Sequence, residues 1–213
     1  MNPKTKKVIL ILMLLLPVFA LGAWYPVNPR NGDMQTDAGG SVRAQQVHVA
    51  HFRWASPDVA AATTVCDVTP TAGVARLVTG ATLTNPDVCR GLVVKAPTSY
   101  SGVVDVTGTN FAGAVITEAF TLSGTNTTTG NKAFKTVTSV EVPANEQIQV
   151  GTSDKLGLPY MSAYTCVLDT YLNNARESTA ATVARDADEL EKNTLDLNSS
   201  LNNTQVDVFF TWY

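Results

Sequence analysis

Charge is scarce in this chain of 213 residues: Asp, Glu, Lys and Arg make up 15% of it, against roughly 25% in average globular usage. Thr, Ala, Val and Asn are plentiful instead, a balance that favours strands and turns over long amphipathic helices. Basic residues do not outnumber acidic ones. The formal charge of −3 and a pI near 5.3 give no electropositive footprint, which argues against DNA or RNA as the main partner. Histidine is scarcer still. His48 and His51, the only two, stand three apart and would point to opposite faces of a strand, so they do not form a paired metal site. The sequence has no GxSxG, HExxH or phosphate-loop motif, and no catalytic constellation. The expectation is a protein that is not an enzyme, with no cofactor and no metal.

The three cysteines, Cys66, Cys89 and Cys166, are too few and too scattered for a disulfide scaffold, and none belongs to a CxxC pair. Three readings stand: buried free thiols, a Cys66–Cys89 bridge formed in an oxidising compartment, or a metal or nucleophile role with no histidine nearby in sequence. Carboxylates cluster once, at Asp186, Asp188, Glu189 and Glu191. Calcium is one reading. The EF-hand glycine and closing glutamate spacing are missing, which leaves a solvated helical turn capped by Asp186 or Asp188 as the other. Three Asn-x-Ser/Thr triplets, at Asn126, Asn198 and Asn202, arise readily by chance in this composition.

What the sequence does hold begins with a hydrophobic leader, 1–24. Lys4, Lys6 and Lys7 precede the uncharged run VILILMLLLPVFALGAW, with Ala20 and Gly22 at cleavage-compatible spacing. It reads as a signal peptide, as an uncleaved anchor that would give the chain a membrane contact, or as an upstream extension of a protein starting at Met34. Residues 25–43 are rich in Pro, Gly, Asn and Asp, the composition of a linker or arm rather than a packed element.

Residues 44–213 are expected to form a single β-sandwich domain of antiparallel strands, with one or two short helices. The first strand is 44–54, with apolar groups on both faces and so covered on both sides. Stretches 60–66 and 73–78 are compatible with helix or strand, and Asn85-Pro86-Asp87 is a turn. At 103–160 the chain reads as an unbroken β-meander with a turn former wherever one is needed. Within it Ile116, Phe120 and Leu122 share a face with Glu118, a charge placed for an ion pair with Arg90 or Lys135 or for a position near the sheet edge. The segment GTSDKLGLPY, with Gly151 and Gly157, reads as a structural turn. Residues 161–172 alternate as a strand, with Val167 and Asp169 opposite Leu168 and Thr170; Asn173-Asn174 then turns into a returning hairpin arm. The closing strand sets Val206, Val208, Phe210 and Trp212 on one face. Phe209, Thr211 and Tyr213 occupy the other and are the candidate subunit contact.

The runs NPDVCRGLVVKA, GVVDVTGTNFAGAVITEAFTLSGT, GNKAFKTVTSVEVP and VGTSDKLGLPY resemble small β-rich virion structural proteins encoded beside capsid genes in tailed bacteriophages. The resemblance covers roughly 47–213. It implies a capsid decoration or cement protein, or a minor head or tail component, localised to the virion, whose partners are capsid or tail subunits or further copies of itself. The family carries no catalytic residues to transfer. The rival expectation, which takes the leader at face value, is an exported or membrane-anchored β-sandwich module that binds a glycan or a surface protein.

Overall fold

The computed structural model describes residues 33–35, 41–43, 48–69, 71–161 and 166–212. The leader, 1–24, lies outside the described residues. Within the expected arm, β1 (Asp33–Gln35) pairs antiparallel with β2 (Ser41–Arg43), Met34 opposite Val42. Part of the segment read as linker is therefore a short hairpin. A second compact unit is formed by 49–212.

That unit is mainly β and antiparallel, as expected of a β-sandwich. Its helical content among the described residues is two single 3-10 turns, Gly80–Thr82 and Leu190–Lys192, and no helix among them is long and apolar enough to cross a membrane. The strands are β3 (His48–Trp54), β4 (Ala61–Val68), β5 (Arg76–Thr79), β6 (Arg90–Lys95), β7 (Gly102–Thr109) and β8 (Val115–Leu122), then β9 (Thr128–Phe134), β10 (Thr136–Val142) and β11 (Ile148–Gly157). The C-terminal part adds β12 (Cys166–Leu172), β13 (Ala175–Arg176), β14 (Thr182–Ala184), β15 (Thr194–Asp196) and β16 (Val206–Trp212). Both ambiguous stretches near 60–78 resolve as strands.

Sheet I has the order β5-β10-β7-β8; sheet II runs β14-β15-β11-β6-β9, with β4 also on β11; sheet III runs β13-β12-β16-β3. The predicted meander holds as a set of strands but not as a topology. Only β7 and β8 are joined as neighbours; β9 pairs β6, whereas β10 pairs β7 and β5. Between Phe134 and Thr136 the chain thus leaves one sheet for the other across a single residue, Lys135. Apolar residues facing inward from both sheets make this crossing favourable: Phe134 and Val140 are fully buried and Val137 nearly so.

Two buried clusters result. The first lies between sheets I and II and contains Val104, Val106, Phe120 and Leu122 from one side and Val65, Leu92, Val94 and Ile148 from the other. In the second, Leu156, Leu158 and Leu195 meet Trp54, Val206, Val208 and Phe210. Strand β11 serves both, which corrects the reading of 151–160 as a turn: 148–157 is one long strand. Its glycines answer to crowding. A Cβ on Gly151 would stand 1.8 Å from the Ala61 carbonyl oxygen, and one on Gly157 would stand 2.6 Å from the Ala133 Cβ.

Arg90 sits where β11 passes from one cluster to the other, and it is completely buried. A register shift between Thr152 and Leu156 makes room for it. Its Nε donates to the Ser153 carbonyl oxygen at 2.8 Å, and its Nη1 donates to the Asp58 carbonyl oxygen at 2.8 Å and to Asp87 Oδ1 at 3.0 Å. Asp154 Oδ1 lies 3.8 Å from Nη2. The expected turn at Asn85-Pro86-Asp87 contributes here too, since Asp87 Oδ2 accepts the Asp58 N–H at 2.7 Å and Asn85 Oδ1 the Val137 N–H at 2.9 Å. Nε and Nη1 are thus hydrogen-bonded, while Nη2 makes no hydrogen bond and meets Asp154 Oδ1 only as a charge; burying the cation is offset by these carbonyl and carboxylate partners.

Glu118 partners neither Arg90 nor Lys135. It lies on the edge strand β8, and its two oxygens accept the backbone N–H groups of Asn131 (2.5 Å) and Lys132 (3.3 Å) on β9. The carboxylate thereby ties sheet I to sheet II and occupies ladder donors on an edge. Burial holds its carboxyl above the usual range, against the pull of those two N–H groups.

Candidate functional site

Sheet III buries one face and leaves the other open. Along β3, Trp54 is buried and Ala50 and Phe52 pack on the second cluster, while Val49 is 61% exposed; the strand is at the sheet edge, so the expected cover on both faces is absent. Along β16, Val206, Val208 and Phe210 point inward and Asp207 and Phe209 share the opposite face. The neighbouring β12 would place Val167 and Asp169 together by simple alternation. A bulge changes this: Val167 stands opposite Phe210 and Asp169 opposite Phe209, with Leu168 extra. Asp169 and Tyr171 consequently join Phe209 and Asp207, Leu168 is half exposed, and Thr170 is buried.

The turn after β12 completes the face. Asn173 (φ 51°) and Asn174 (φ 62°) both adopt left-handed conformations, as a two-residue type I′ hairpin requires, and Leu172 pairs Ala175. The returning arm is shorter than expected. Only Ala175–Arg176 pairs β12, after which the chain leaves to supply β14 to sheet II.

Asp207 organises the centre of this face. Its side chain is 6% exposed, yet Oδ1 accepts from Arg53 Nε at 2.7 Å and contacts His51 Nε2 at 2.6 Å, and Oδ2 accepts from Gln205 Nε2 at 3.0 Å. Burial works against its charge, but the Arg53 and His51 contacts outweigh that and hold the carboxyl below its usual range. The His51 ring stacks on Phe209, centroids 4.5 Å apart, and Tyr171 meets the same ring edge-on at 5.9 Å. Beyond Tyr171, Arg176 Nε donates to both oxygens of Asp169 at 2.7 and 2.8 Å, and the Tyr171 hydroxyl donates to Oδ2 at 3.1 Å. The Arg176 hydrogen bond, assisted by Tyr171, lowers the Asp169 carboxyl against its slight desolvation. An open hollow of about 240 Å³ lies over Arg53, Tyr171, Asn174, Asp207 and Phe209.

Of the candidate contact residues, Phe209 lies at the middle of this face. The Thr211 backbone pairs with Cys166 on β12; the Thr211 side chain and Tyr213 lie outside the described residues. Sequence reasoning missed His51, Arg53, Asp169, Tyr171, Arg176 and Asp207. For His51, Arg53 and Asp207 the period-2 alternation already carried the signal. For Asp169 and Tyr171 the bulge concealed it.

The remaining candidates have structural surroundings. Cys66 and Cys89 are free and buried rather than bridged, and burial pushes their thiols up to about 11 and about 12. In the acidic cluster, Asp186 Oδ1 caps the turn by accepting the N–H groups of Asp188 (2.8 Å) and Glu189 (2.9 Å). Lys132 contacts Glu189 and Glu191, each at 3.2 Å, and Lys192 contacts Asp186 and Glu189. Among the described residues no group of three or more His, Cys, Asp or Glu is placed to hold a metal ion. In comparisons with family models, curated proteins and solved structures, nothing matches this chain.

Proposed function

We propose that this chain is a non-enzymatic virion structural protein, a capsid decoration or cement protein or a minor head or tail component, which binds neighbouring subunits through the open face of sheet III. The observation that carries the reading is Phe209 set between the His51 ring and the Tyr171 edge, with each flanking carboxylate already holding its cation. Aromatic groups with arginine are the chemistry of protein interfaces. Side chains already fixed in place lose less freedom on docking, a saving of about 0.5–1.5 kcal/mol for each. The depressed carboxyls of Asp207 and Asp169 suit fixed ion pairs better than proton transfer near neutrality, which supports a binding rather than a catalytic role.

The test is to fractionate the native source into particles, membranes and soluble extract and to quantify the protein in each by mass spectrometry. Stoichiometric recovery with particles is expected, and absence from purified particles would overturn the proposal. One feature favours a second reading, an exported or membrane-anchored module that binds glycan. The hollow beside Phe209 joins an aromatic face to Arg53, Asn174 and Asp207, groups able to stack on a sugar ring and bond its hydroxyls. Recovery with membranes or the exported fraction, together with a hit in a glycan-binding screen, would favour it.

A further inference from the structure

Away from sheet III, one carboxylate holds a lysine on one oxygen and an asparagine on the other. Glu191, buried to 7% exposure in the turn after Asp186, contacts Lys132 Nζ through Oε1 at 3.2 Å and accepts from Asn110 Nδ2 through Oε2 at 3.1 Å. Asn110 is itself buried, at 5% exposure. Its Oδ1 accepts two backbone N–H groups, from Ala112 and Ala114, each at 3.0 Å. The Glu191 carboxylate therefore holds the Lys132 amine and the Asn110 carboxamide together, and a pair of N–H donors is aimed at the oxygen that would take up negative charge.

We propose that Asn110 and Lys132 join in an intramolecular amide bond, with Glu191 as the catalytic residue. Lys132 first passes a proton to Glu191, leaving a neutral amine beside a neutral acid. The amine lone pair attacks Asn110 Cγ, and the carbonyl π pair moves onto Oδ1, where the Ala112 and Ala114 N–H groups stabilise it. Glu191 protonates Nδ2, the Cγ–Nδ2 bond breaks, and ammonia departs. The carboxylate removes the surplus proton from the new nitrogen, leaving a neutral amide, and ammonia ultimately carries off the proton that Lys132 gave up. Amine and carboxamide become secondary amide and ammonia, and no oxidant or metal is consumed. Holding the two reactants on one carboxylate supplies the proximity such a step needs.

The bond would connect the β7–β8 turn of sheet I to β9 of sheet II, closing the sandwich covalently at one end. Its rate is limited by the resting ion pair: burial raises the Glu191 carboxyl, but hydrogen bonds from its own backbone N–H, Asn110 and Lys132 hold it below its usual range, so the neutral acid forms rarely and the step is slow. Burial favours the neutral form of Lys132, but the contacts with Glu189 and Glu191 reverse this and hold the ammonium. Asp186 and Glu118 also face it, and Lys192 faces Glu191. Glu189 contacts the amine and has no hydrogen bond to Asn110, so it acts as a brake.

Peptide mapping of the folded full-length protein by mass spectrometry tests the proposal. The expected product is one branched peptide containing Asn110 and Lys132, lighter by one ammonia than the two separate peptides. Glu191→Ala and Lys132→Arg should reduce it to background. Glu189→Gln should form it several-fold faster after synthesis, which a merely structural ion pair would not do. Wild-type protein that keeps only the separate peptides through prolonged incubation, or that shows a deamidated Asn110 beside a free Lys132, overturns the proposal without needing any variant to fold. Recombinant protein suffices, so the result is independent of whether the chain is found in particles.

Discussion

Arg90 and Asp207 illustrate how single residues carry this fold. Arg90 is fully enclosed, with carbonyl oxygens from 58 and 153 and the Asp87 carboxylate on its guanidinium. Arg90→Ala would strand these acceptors, and a loss of about 3–5 kcal/mol in equilibrium denaturation is expected. Asp207 has its carboxyl depressed in the folded protein. Its stabilisation is complete above the unfolded value of about 3.9 and drains away as pH falls through the lower folded value. A stability titration should therefore drop below about pH 4, and Asp207→Asn should flatten that drop while lowering stability at neutrality. Cys66 and Cys89 make the third expectation at this scale. With thiols raised to about 11 and about 12 by burial, they should resist alkylation at mildly alkaline pH in the folded protein and react once it is denatured. Legibility at this scale was uneven. Phe209 and Asp207 follow from alternation along β16, whereas nothing in RGLVVK marks Arg90 as enclosed, because two of its acceptors, the carbonyl oxygens of Asp58 and Ser153, come from segments far away in sequence and only Asp87 is near.

At the scale of elements, turns and strands were readable where local chemistry decides them. Asn173-Asn174 makes its turn because asparagine tolerates the left-handed conformation, and the faces of β8 sort as the pattern of Ile116, Phe120 and Leu122 requires. Partners were not readable. Strands β9 and β10 are nearly contiguous, yet they enter opposite sheets, and the bulge at Leu168 moves Asp169 to the face its spacing denied it. Glu118 is the clip that holds such a crossing together. Glu118→Ala should leave two β9 amides without their charged acceptor and cost about 1.5–3 kcal/mol. Hydrogen exchange at Asn131 and Lys132 should speed up before the rest of the sandwich does.

For the molecule as a whole, residues 49–212 hold two apolar clusters joined by β11. Their separation frees one side of sheet III for contact. Phe209→Ala should reduce incorporation into particles at least tenfold while leaving the unfolding midpoint close to that of the wild type, since the ring is on the open face and outside the second cluster. An equal loss of stability and incorporation would instead place Phe209 in the folding of the sheet. The sequence by itself determined the β class, the antiparallel habit, most strand positions and the turn residues, because these depend on alternation and on local backbone preferences. Only the tertiary structure decided which strands pair, where Arg90 finds its acceptors, and that Asn110, Lys132 and Glu191 converge from three distant segments. Those outcomes depend on burying apolar faces against one another, and a period-2 pattern states which side of a strand is apolar without stating which other strand will cover it.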